Sequence, residues 1–178
     1  IQSIKRQIHA HAGHGEIAVA GHNIKLGRGG IREIEFFAQT QQLILGGRNP
    51  NLRASATLQA LESLVAQQII TAQAAADMSR CYVYLRILEH RLQMVDDQQT
   101  HSLPDRGEGL DHIACFMGYD GEPSFEAQFV AVLETVQGHY ARLFEREPEL
   151  TDARGNLVFT GVEDDPETLS TLLAMGFK

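Results

Sequence analysis

Three features that would quickly place a protein in a class are scarce in this sequence of 178 residues. It has only two cysteines, which lie far apart and lack a CxxC partner, so neither a disulfide scaffold nor a thiolate zinc site is expected. No apolar run approaches the roughly 18 residues that a membrane-spanning helix needs, and no signal-peptide pattern opens the chain. These absences predict a cytoplasmic protein with buried, reduced thiols and no membrane partner.

Positive charge is also scarce, with 15 lysines and arginines against 23 aspartates and glutamates and a net charge of −8. Since a general nucleic-acid binder needs a basic face to displace counterions from phosphates, no nucleic-acid partner is expected. Residues 1–32 nevertheless carry five basic residues and one acidic residue, whereas residues 147–167 carry seven acidic residues and one basic residue. The local excess of positive charge therefore surrounds the glycine-rich stretch at 27–30.

Composition divides the chain into three parts. Residues 1–21 are predicted to be the end of a preceding helix and a turn-rich connection, residues 22–147 a helical domain, and residues 148–178 an acidic linker with a short C-terminal helix. The first residue is Ile1 rather than Met, and we expect the chain to be a piece of a longer protein.

Apolar residues at helical spacing dominate the middle part and predict an all-α fold, an antiparallel helical bundle with a short strand or extended segment near residues 22–26. The predicted helices span 30–45, 55–67, 71–95, 110–117 and 124–145, the last capped by Ser124. In the long helix, apolar positions 81, 85, 88, 92 and 95 are spaced 4, 3, 4 and 3, which marks a buried seam. Other residues predicted to face inward are Leu58, Leu61, Val65, Phe125, Phe129, Leu133, Val136, Tyr140 and Leu143.

The most promising chemical feature is a glycine-rich motif before the first helix of the bundle. It contains Lys25, Gly27, Arg28, Gly29, Gly30 and Arg32. The helix that follows has no Ser, Thr, Asp or Asn cap, so its first N–H groups and the basic side chains are candidates to hold a phosphate. The alternative is a glycine turn that merely lets the helix enter the bundle. The motif lacks both a Gly-Lys-Ser/Thr ending and the GxGxxG spacing of dinucleotide folds.

Two carboxylates follow in the same motif. Glu33 and Glu35 are two positions apart on a predicted helix, so their side chains point about 200° apart and cannot both bind one metal ion. One of them could face a ligand while the other pairs internally. An ion pair between Arg32 and Glu35, at i and i+3, is the simpler interpretation.

A second polar group interrupts the seam of the long helix. Its members are Arg86, Glu89, Arg91 and Gln93. Polar side chains beside an apolar seam usually form a structural network between helices, although a general acid–base role for the neighbouring His90 is possible. The residues that close this helix could face the same cleft as His90; they are Asp96, Asp97, Gln99, Thr100 and His101.

No complete catalytic or metal site is present on spacing alone. His9, His11 and His14 resemble a metal tract, but no nearby carboxylate or thiolate completes a ligand set, so no metal site is expected. Neither a GxSxG elbow nor an HExxH motif occurs.

Two long stretches resemble the bacterial glutamine synthetase adenylyltransferase family. They are residues 24–48 (IKLGRGGIREIEFFAQTQQLILGGR) and residues 84–94 (YLRILEHRLQM), the latter followed by 99–104 (QTHSLP). They occur in the same order as in the family, and their amino-acid sequence is more similar to the N-terminal half of that bifunctional enzyme than to its C-terminal half. We call these stretches the first and second motifs.

The resemblance implies an enzyme that adds AMP to glutamine synthetase and removes it, with two halves that each join a nucleotidyltransferase domain to a helical domain. The catalytic aspartates, with Mg²⁺ and ATP or ADP, would belong to the upstream nucleotidyltransferase domain, and this part alone is expected to be inactive and to bind none of them. Glutamine synthetase and a PII signalling protein are the implied partners. The first motif would complete the nucleotide or phosphate site of the adenylyl-removing half, or only join the two domains.

Two other functions stay open at this point. The chain could be a regulatory helical module that docks a protein partner through its acidic surface. It could also belong to the related PII uridylyltransferase family, which shares the plan of a nucleotidyltransferase domain followed by helices.

Overall fold

The computed structural model describes residues 18–96 and 100–145, so predictions for residues 1–17, 97–99 and 146–178 lie outside the described residues, as does the prediction for the side chain of Leu143. Within these ranges the protein is helical, and no strand is present apart from one isolated antiparallel bridge between Asn23 and Ser102. The helices are α1 (Ile31–Leu45), α2 (Thr57–Ala66), α3 (Ala72–Asp96), α4 (Glu108–Phe116) and α5 (Glu122–Glu145), with a 3₁₀ turn at Pro50–Leu52. The all-α class is confirmed.

The two longest helices, α3 and α5, run antiparallel at the centre of the bundle. His139 Nε2 lies 3.0 Å from Asp77 Oδ2 near one end of the pair, and the Cys81 thiol donates to the Val132 carbonyl oxygen at 3.8 Å one turn further along. Helix α1 packs against α2, α3 and α5, and α4 packs against α3 and α5. None of the described helices combines the length and apolarity needed to cross a membrane.

The predicted inward faces of the long helices form the core. The buried residues among them are Cys81, Leu85, Leu88 and Leu92 in α3 and Phe125, Phe129, Leu133, Val136 and Tyr140 in α5. Val95 is the exception, since it is 42% exposed next to the end of α3. The prediction of a buried seam therefore holds along α3 except in its last turn.

The buried face of α2 is rotated from the predicted one. Ala60, Leu61 and Leu64 are buried, whereas Leu58 and Val65 are only half-buried. Because α2 contacts both α1 and α3, the centre of its buried surface lies between two neighbours and does not follow a single stripe.

The start of α5 also differs from the prediction. The helix begins at Glu122, and the hydroxyl of Ser124 donates to the carbonyl oxygen of Gly121 at 2.9 Å instead of capping the helix. The cap comes from α4, where Asp111 Oδ1 accepts the N–H of Glu122 at 3.1 Å. A carboxylate at the positive end of a helix is favourable. Because Asp111 lies far from Glu122 in the sequence, a pattern of adjacent residues does not predict this cap.

Candidate functional site

The segment before α1 is fastened to the segment after α3. The N–H of Ile24 donates to the His101 carbonyl oxygen at 2.8 Å, and the N–H of Leu103 donates to the His22 carbonyl oxygen at 2.9 Å. These bonds flank the bridge between Asn23 and Ser102. In place of the predicted short strand or extended segment near residues 22–26, the structure has an isolated bridge. Backbone hydrogen bonds to residues 101–103 flank this bridge on both sides.

Asn23 ends the extended segment after this contact. Its side-chain oxygen accepts the N–H groups of Lys25 at 3.1 Å and Leu26 at 2.8 Å. An asparagine side chain that binds backbone amides two and three positions ahead turns the chain locally. Residues 24–26 are consequently a turn.

The first amides of α1 already have partners. The N–H groups of Ile31 and Arg32 donate to the carbonyl oxygens of Ile24 and Lys25, each at 3.0 Å. The expectation that these amides are free to bind a phosphate is wrong, because the preceding turn supplies carbonyl groups where a capping side chain is missing. Any anion that binds at this end of α1 has to be held by side chains.

Glu33 stabilises the turn from inside the helix. Its Oε2 accepts the N–H of Gly29 at 2.9 Å, and its own N–H donates to the Gly30 carbonyl oxygen at 3.1 Å. Burial raises the pKa of Glu33, while the Gly29 amide and the charge of Arg28 act in the opposite direction. The Glu33 carboxylate therefore faces the turn, where the Gly29 amide is its hydrogen-bond partner.

The glycines of the motif are required by packing. Gly29 has φ +75°, and a Cβ on it would lie 2.6 Å from the Leu133 carbonyl oxygen in α5. A Cβ on Gly27 would lie 2.4 Å from the Asn23 carbonyl oxygen, and one on Gly30 would lie 2.7 Å from that of Ile24. Side chains at Gly27 and Gly30 would clash with carbonyl groups of the same turn, and a side chain at Gly29 would clash with α5. This favours the interpretation that these glycines let α1 enter the bundle.

A buried carboxylate joins the two motifs. The side chain of Glu89 is only 4% exposed, and its Oε2 lies 2.8 Å from Arg86 Nη1. Its Oε1 lies 3.7 Å from Lys25 Nζ and 3.2 Å from His101 Nδ1. A buried carboxylate is costly unless basic groups surround it. We call Lys25, Arg86, Glu89 and His101 the Glu89 cluster.

The Glu89 cluster brings together residues that sequence reasoning placed in separate groups. Arg86 and Glu89 were predicted to belong to one polar network, and their side chains form an ion pair. Lys25 was assigned to the glycine motif, and no local pattern indicates that it reaches Glu89. His101 was expected only to face a cleft with the end of α3.

The other members of the predicted helix network lie elsewhere. Arg91 donates to the carbonyl oxygen of Phe116 and lies over its ring, 5.2 Å from the centroid, so it holds α4 against α3. Gln93 is half-buried, whereas His90 is exposed on the side of α3 that faces away from the core. The predicted network is therefore two separate arrangements, and His90 belongs to neither.

The basic side chains of the motif remain accessible. Arg28 is exposed, Arg32 is 61% exposed, and Lys25 and Arg86 are 33% and 37% exposed in their side chains. Arg32 Nη1 donates to Glu35 Oε2 at 3.2 Å, which confirms the predicted ion pair. This surface is a basic patch on a protein of net charge −8.

The same residues do not fit a magnesium ion. Glu33 faces the Gly29 amide, Glu35 pairs with Arg32, and Glu89 is surrounded by basic groups. Proteins bind Mg²⁺ through carboxylates that are free to coordinate it. The described part of the chain holds no group of three or more His, Cys, Asp or Glu side chains that could hold a metal ion.

Comparison with known proteins decides the family. A family model described as GlnD PII-uridylyltransferase matches residues 1–144, which include the whole Glu89 cluster. The chain belongs to this family. Its curated relatives include proteins from Mesorhizobium japonicum, Brucella melitensis and Agrobacterium fabrum, which are 58%, 56% and 55% identical to it over all 178 residues.

Each of these relatives is named a bifunctional glutamine synthetase adenylyltransferase/adenylyl-removing enzyme. The resemblance predicted from the two motifs is thereby confirmed, and the family match fits it. The chain covers 18% of the length of each relative.

Proposed function

We propose that this chain is a helical domain of an enzyme that adenylylates and deadenylylates glutamine synthetase, and that it supports the adenylyl-removing site. The observation that carries the proposal is 58% identity over all 178 residues with a protein of that name. The family model bears the name of PII uridylyltransferase, but identity of this extent favours the adenylyl-transferring activity. We infer a cytoplasmic enzyme, in keeping with its two isolated cysteines.

The domain's own contribution would be positive charge in a fixed position. Transfer of an adenylyl group places negative charge on oxygens around phosphorus, and prearranged cations stabilise such charge without reorganising. Glu89 holds Lys25 and Arg86 from the buried side, while both remain partly accessible to a neighbouring domain. The catalytic carboxylates, the Mg²⁺ that they bind and the ATP or ADP would belong to a nucleotidyltransferase domain outside this chain.

The Glu89 cluster gives this proposal a direct test. In the full-length enzyme, Lys25→Ala should lower phosphate-dependent release of ADP from adenylylated glutamine synthetase at least tenfold and leave adenylylation within about twofold. Arg142→Ala, an exposed change on the last turns of α5, is the matched control. Equal loss of both activities at an unchanged melting temperature would contradict a role specific to removal.

A further test concerns the chain alone. Incubated with adenylylated glutamine synthetase, phosphate and magnesium, the 178 residues should release no ADP. Measurable turnover would show that the chain contains an active site of its own, and the proposal would have to be abandoned.

A second candidate is a regulatory role, in which the domain docks a PII signalling protein. The name of the matching family favours it, because that name refers to PII. Titration of the chain with PII by calorimetry distinguishes the two functions, since a purely supporting domain should show no heat of binding at tens of micromolar.

A further inference from the structure

A histidine outside the Glu89 cluster lies against the glycine-rich motif. The ring of His22 meets the ring of Phe129 in α5 edge to face, with centroids 5.4 Å apart and ring planes at 81°. Its Nε2 approaches the motif so closely that a Cβ on Gly27 would lie 2.7 Å from it. We call residues 24–30 the basic turn. The His22 ring is therefore held between the basic turn and α5.

The Nε2 atom of His22 is enclosed without a partner. It is buried, and no group in the described part of the chain forms a hydrogen bond with it. A neutral imidazole tolerates this position, because its single proton can lie on Nδ1 and leave Nε2 bare. A protonated ring carries an N–H at Nε2 as well, and a buried donor without an acceptor on a charged group is costly. The position therefore suits the neutral ring.

Burial accordingly lowers the pKa of His22 from its ordinary value of 6.5. The backbone of Ala18 and of Arg28 acts in the opposite direction, but neither gives Nε2 a hydrogen bond. A protonated ring would also lie in a segment whose charged residues, Lys25 and Arg28, are both positive. Protonation of His22 is thus disfavoured while the basic turn keeps its place.

The other titratable side chains around the ring are directed elsewhere. On the elements that surround it they are Lys25, Arg28, Glu33, His101, Asp105 and Glu126. Lys25 and His101 contact Glu89. Glu33 binds an amide of the basic turn, and Glu126 pairs with an arginine. Arg28 and Asp105 are exposed. Within residues 18–96 and 100–145 no carboxylate pairs with His22, so no negative charge offsets its protonation.

We infer that His22 is a pH-sensitive support of the basic turn, which its neutral ring holds against α5 and which opens when the ring is protonated. A proton on Nε2 can reach water only if the turn moves, because Gly27 closes off that nitrogen. The movement would displace Lys25 and Arg28 together. This inference does not rest on the function proposed above, since it concerns the conformation of one chain and is measurable without a substrate.

Amide hydrogen exchange followed by NMR tests the inference on the 178-residue chain, from about pH 4 to about pH 8. The pKa of the His22 ring should lie below its ordinary value of 6.5. The amides of Gly27 and Gly30 donate to the carbonyl oxygens of Asn23 and Gly27 at 2.7 and 3.0 Å. After correction for the intrinsic pH dependence of exchange, both should exchange at least about tenfold faster below the titration of the ring than above it.

The choice of amides separates His22 from Glu33. The Gly29 amide is not used as a probe, because it binds the Glu33 carboxylate, whose own protonation would release it. His22→Phe keeps a ring of similar shape and removes the titration, so the corrected exchange of Gly27 and Gly30 should no longer depend on pH. His112→Gln is the control, because His112 is exposed on α4, and it should leave the response unchanged.

The unmodified chain alone can overturn the inference. It fails if the pKa of His22 is 6.5 or higher, if the ring does not titrate in this range, or if the two glycine amides keep their protection throughout the titration. It fails equally if the response persists in His22→Phe or disappears in His112→Gln. Loss of protection at the buried Leu88 over the same pH range would also overturn it, because the whole bundle would then open instead of the turn.

Discussion

The ammonium group of Lys25 lies 3.7 Å from a carboxylate oxygen of Glu89, so a residue of the first motif and a residue of the second motif meet at one buried acid. Arg86 and His101 contact the same acid from α3 and from the segment after it. Two stretches that are far apart in the sequence are thereby parts of one arrangement.

Glu89→Gln should lower the free energy of unfolding by about 1–3 kcal/mol, because Arg86 and Lys25 lose their charged partner beside a buried position. Partial exposure of both cations limits the cost, since solvent screens them. Urea unfolding followed by circular dichroism measures the change. Glu35→Gln is the control, and the loss of its pair with the exposed Arg32 should cost less than about 1 kcal/mol. Similar costs for both variants would contradict a structural role of the Glu89 cluster.

Gly29→Ala should destabilise the protein by about 2 kcal/mol or more, because the new Cβ would combine a positive φ with a clash against the backbone of Leu133. Gly138→Ala is the matched change, since a Cβ at Gly138 in α5 meets nothing within 4 Å. That variant should gain about 0.5–1 kcal/mol from helix propensity. Thermal denaturation of both proteins would reveal the opposite signs, and a neutral Gly29→Ala would mean that the turn can move away from α5.

Leu88→Ala should cost about 2–5 kcal/mol, as expected for a leucine with no exposed surface in the centre of a core. Leu43→Ala removes the same atoms from a position that is 37% exposed and should cost far less. The comparison of the two urea midpoints checks the orientation of α3. An unchanged midpoint for Leu88→Ala would mean that its inward face has been assigned wrongly.

The pKa of Glu33 predicts a specific pH dependence. Burial raises this pKa above its ordinary value, so the folded protein holds the proton more firmly than the unfolded chain does. The free energy of unfolding should therefore fall as the pH rises from about 4.5, the ordinary value, through the raised pKa, and should change no further above it. Glu33→Gln should flatten this part of the profile, and Glu35→Gln should retain it. A profile that Glu33→Gln leaves unaltered would assign the pH dependence to other groups.

Arg32→Ala in the full-length enzyme should impair removal of AMP from glutamine synthetase and leave its addition largely intact. Arg32 is 61% exposed and only pairs with Glu35, so the change should leave the melting temperature within about 2 °C. Parallel assays of the two activities on one preparation make the comparison. If both activities decline together, the basic patch does not serve one site selectively.

Local patterns predicted most of the fold. The seam of α3 and the inward residues of α5 follow from helical spacing, because each buried side chain is placed by its own helix. The predictions of the α5 cap and of the buried face of α2 were wrong, because Asp111 belongs to another helix and α2 contacts two neighbours. Packing between elements decides both features, and no window of adjacent residues contains that information.

The candidate site divides in the same way. The ion pairs of Arg32 with Glu35 and of Arg86 with Glu89 were predictable from spacing of three residues. The partner of Lys25 and the carbonyl groups that occupy the first amides of α1 depend on how the turn folds back. The roles of these residues toward a nucleotide or a neighbouring domain stay predictions.

The pairing of Ile24 with His101 and of Leu103 with His22 has a mechanical consequence. It ties the entrance of α1 to residues 101–103, and the ion pair of Lys25 with Glu89 ties the same basic turn to α3 itself. A displacement of that turn by an adjoining domain would therefore act on α3 directly at Glu89, near the C-terminal end of the helix.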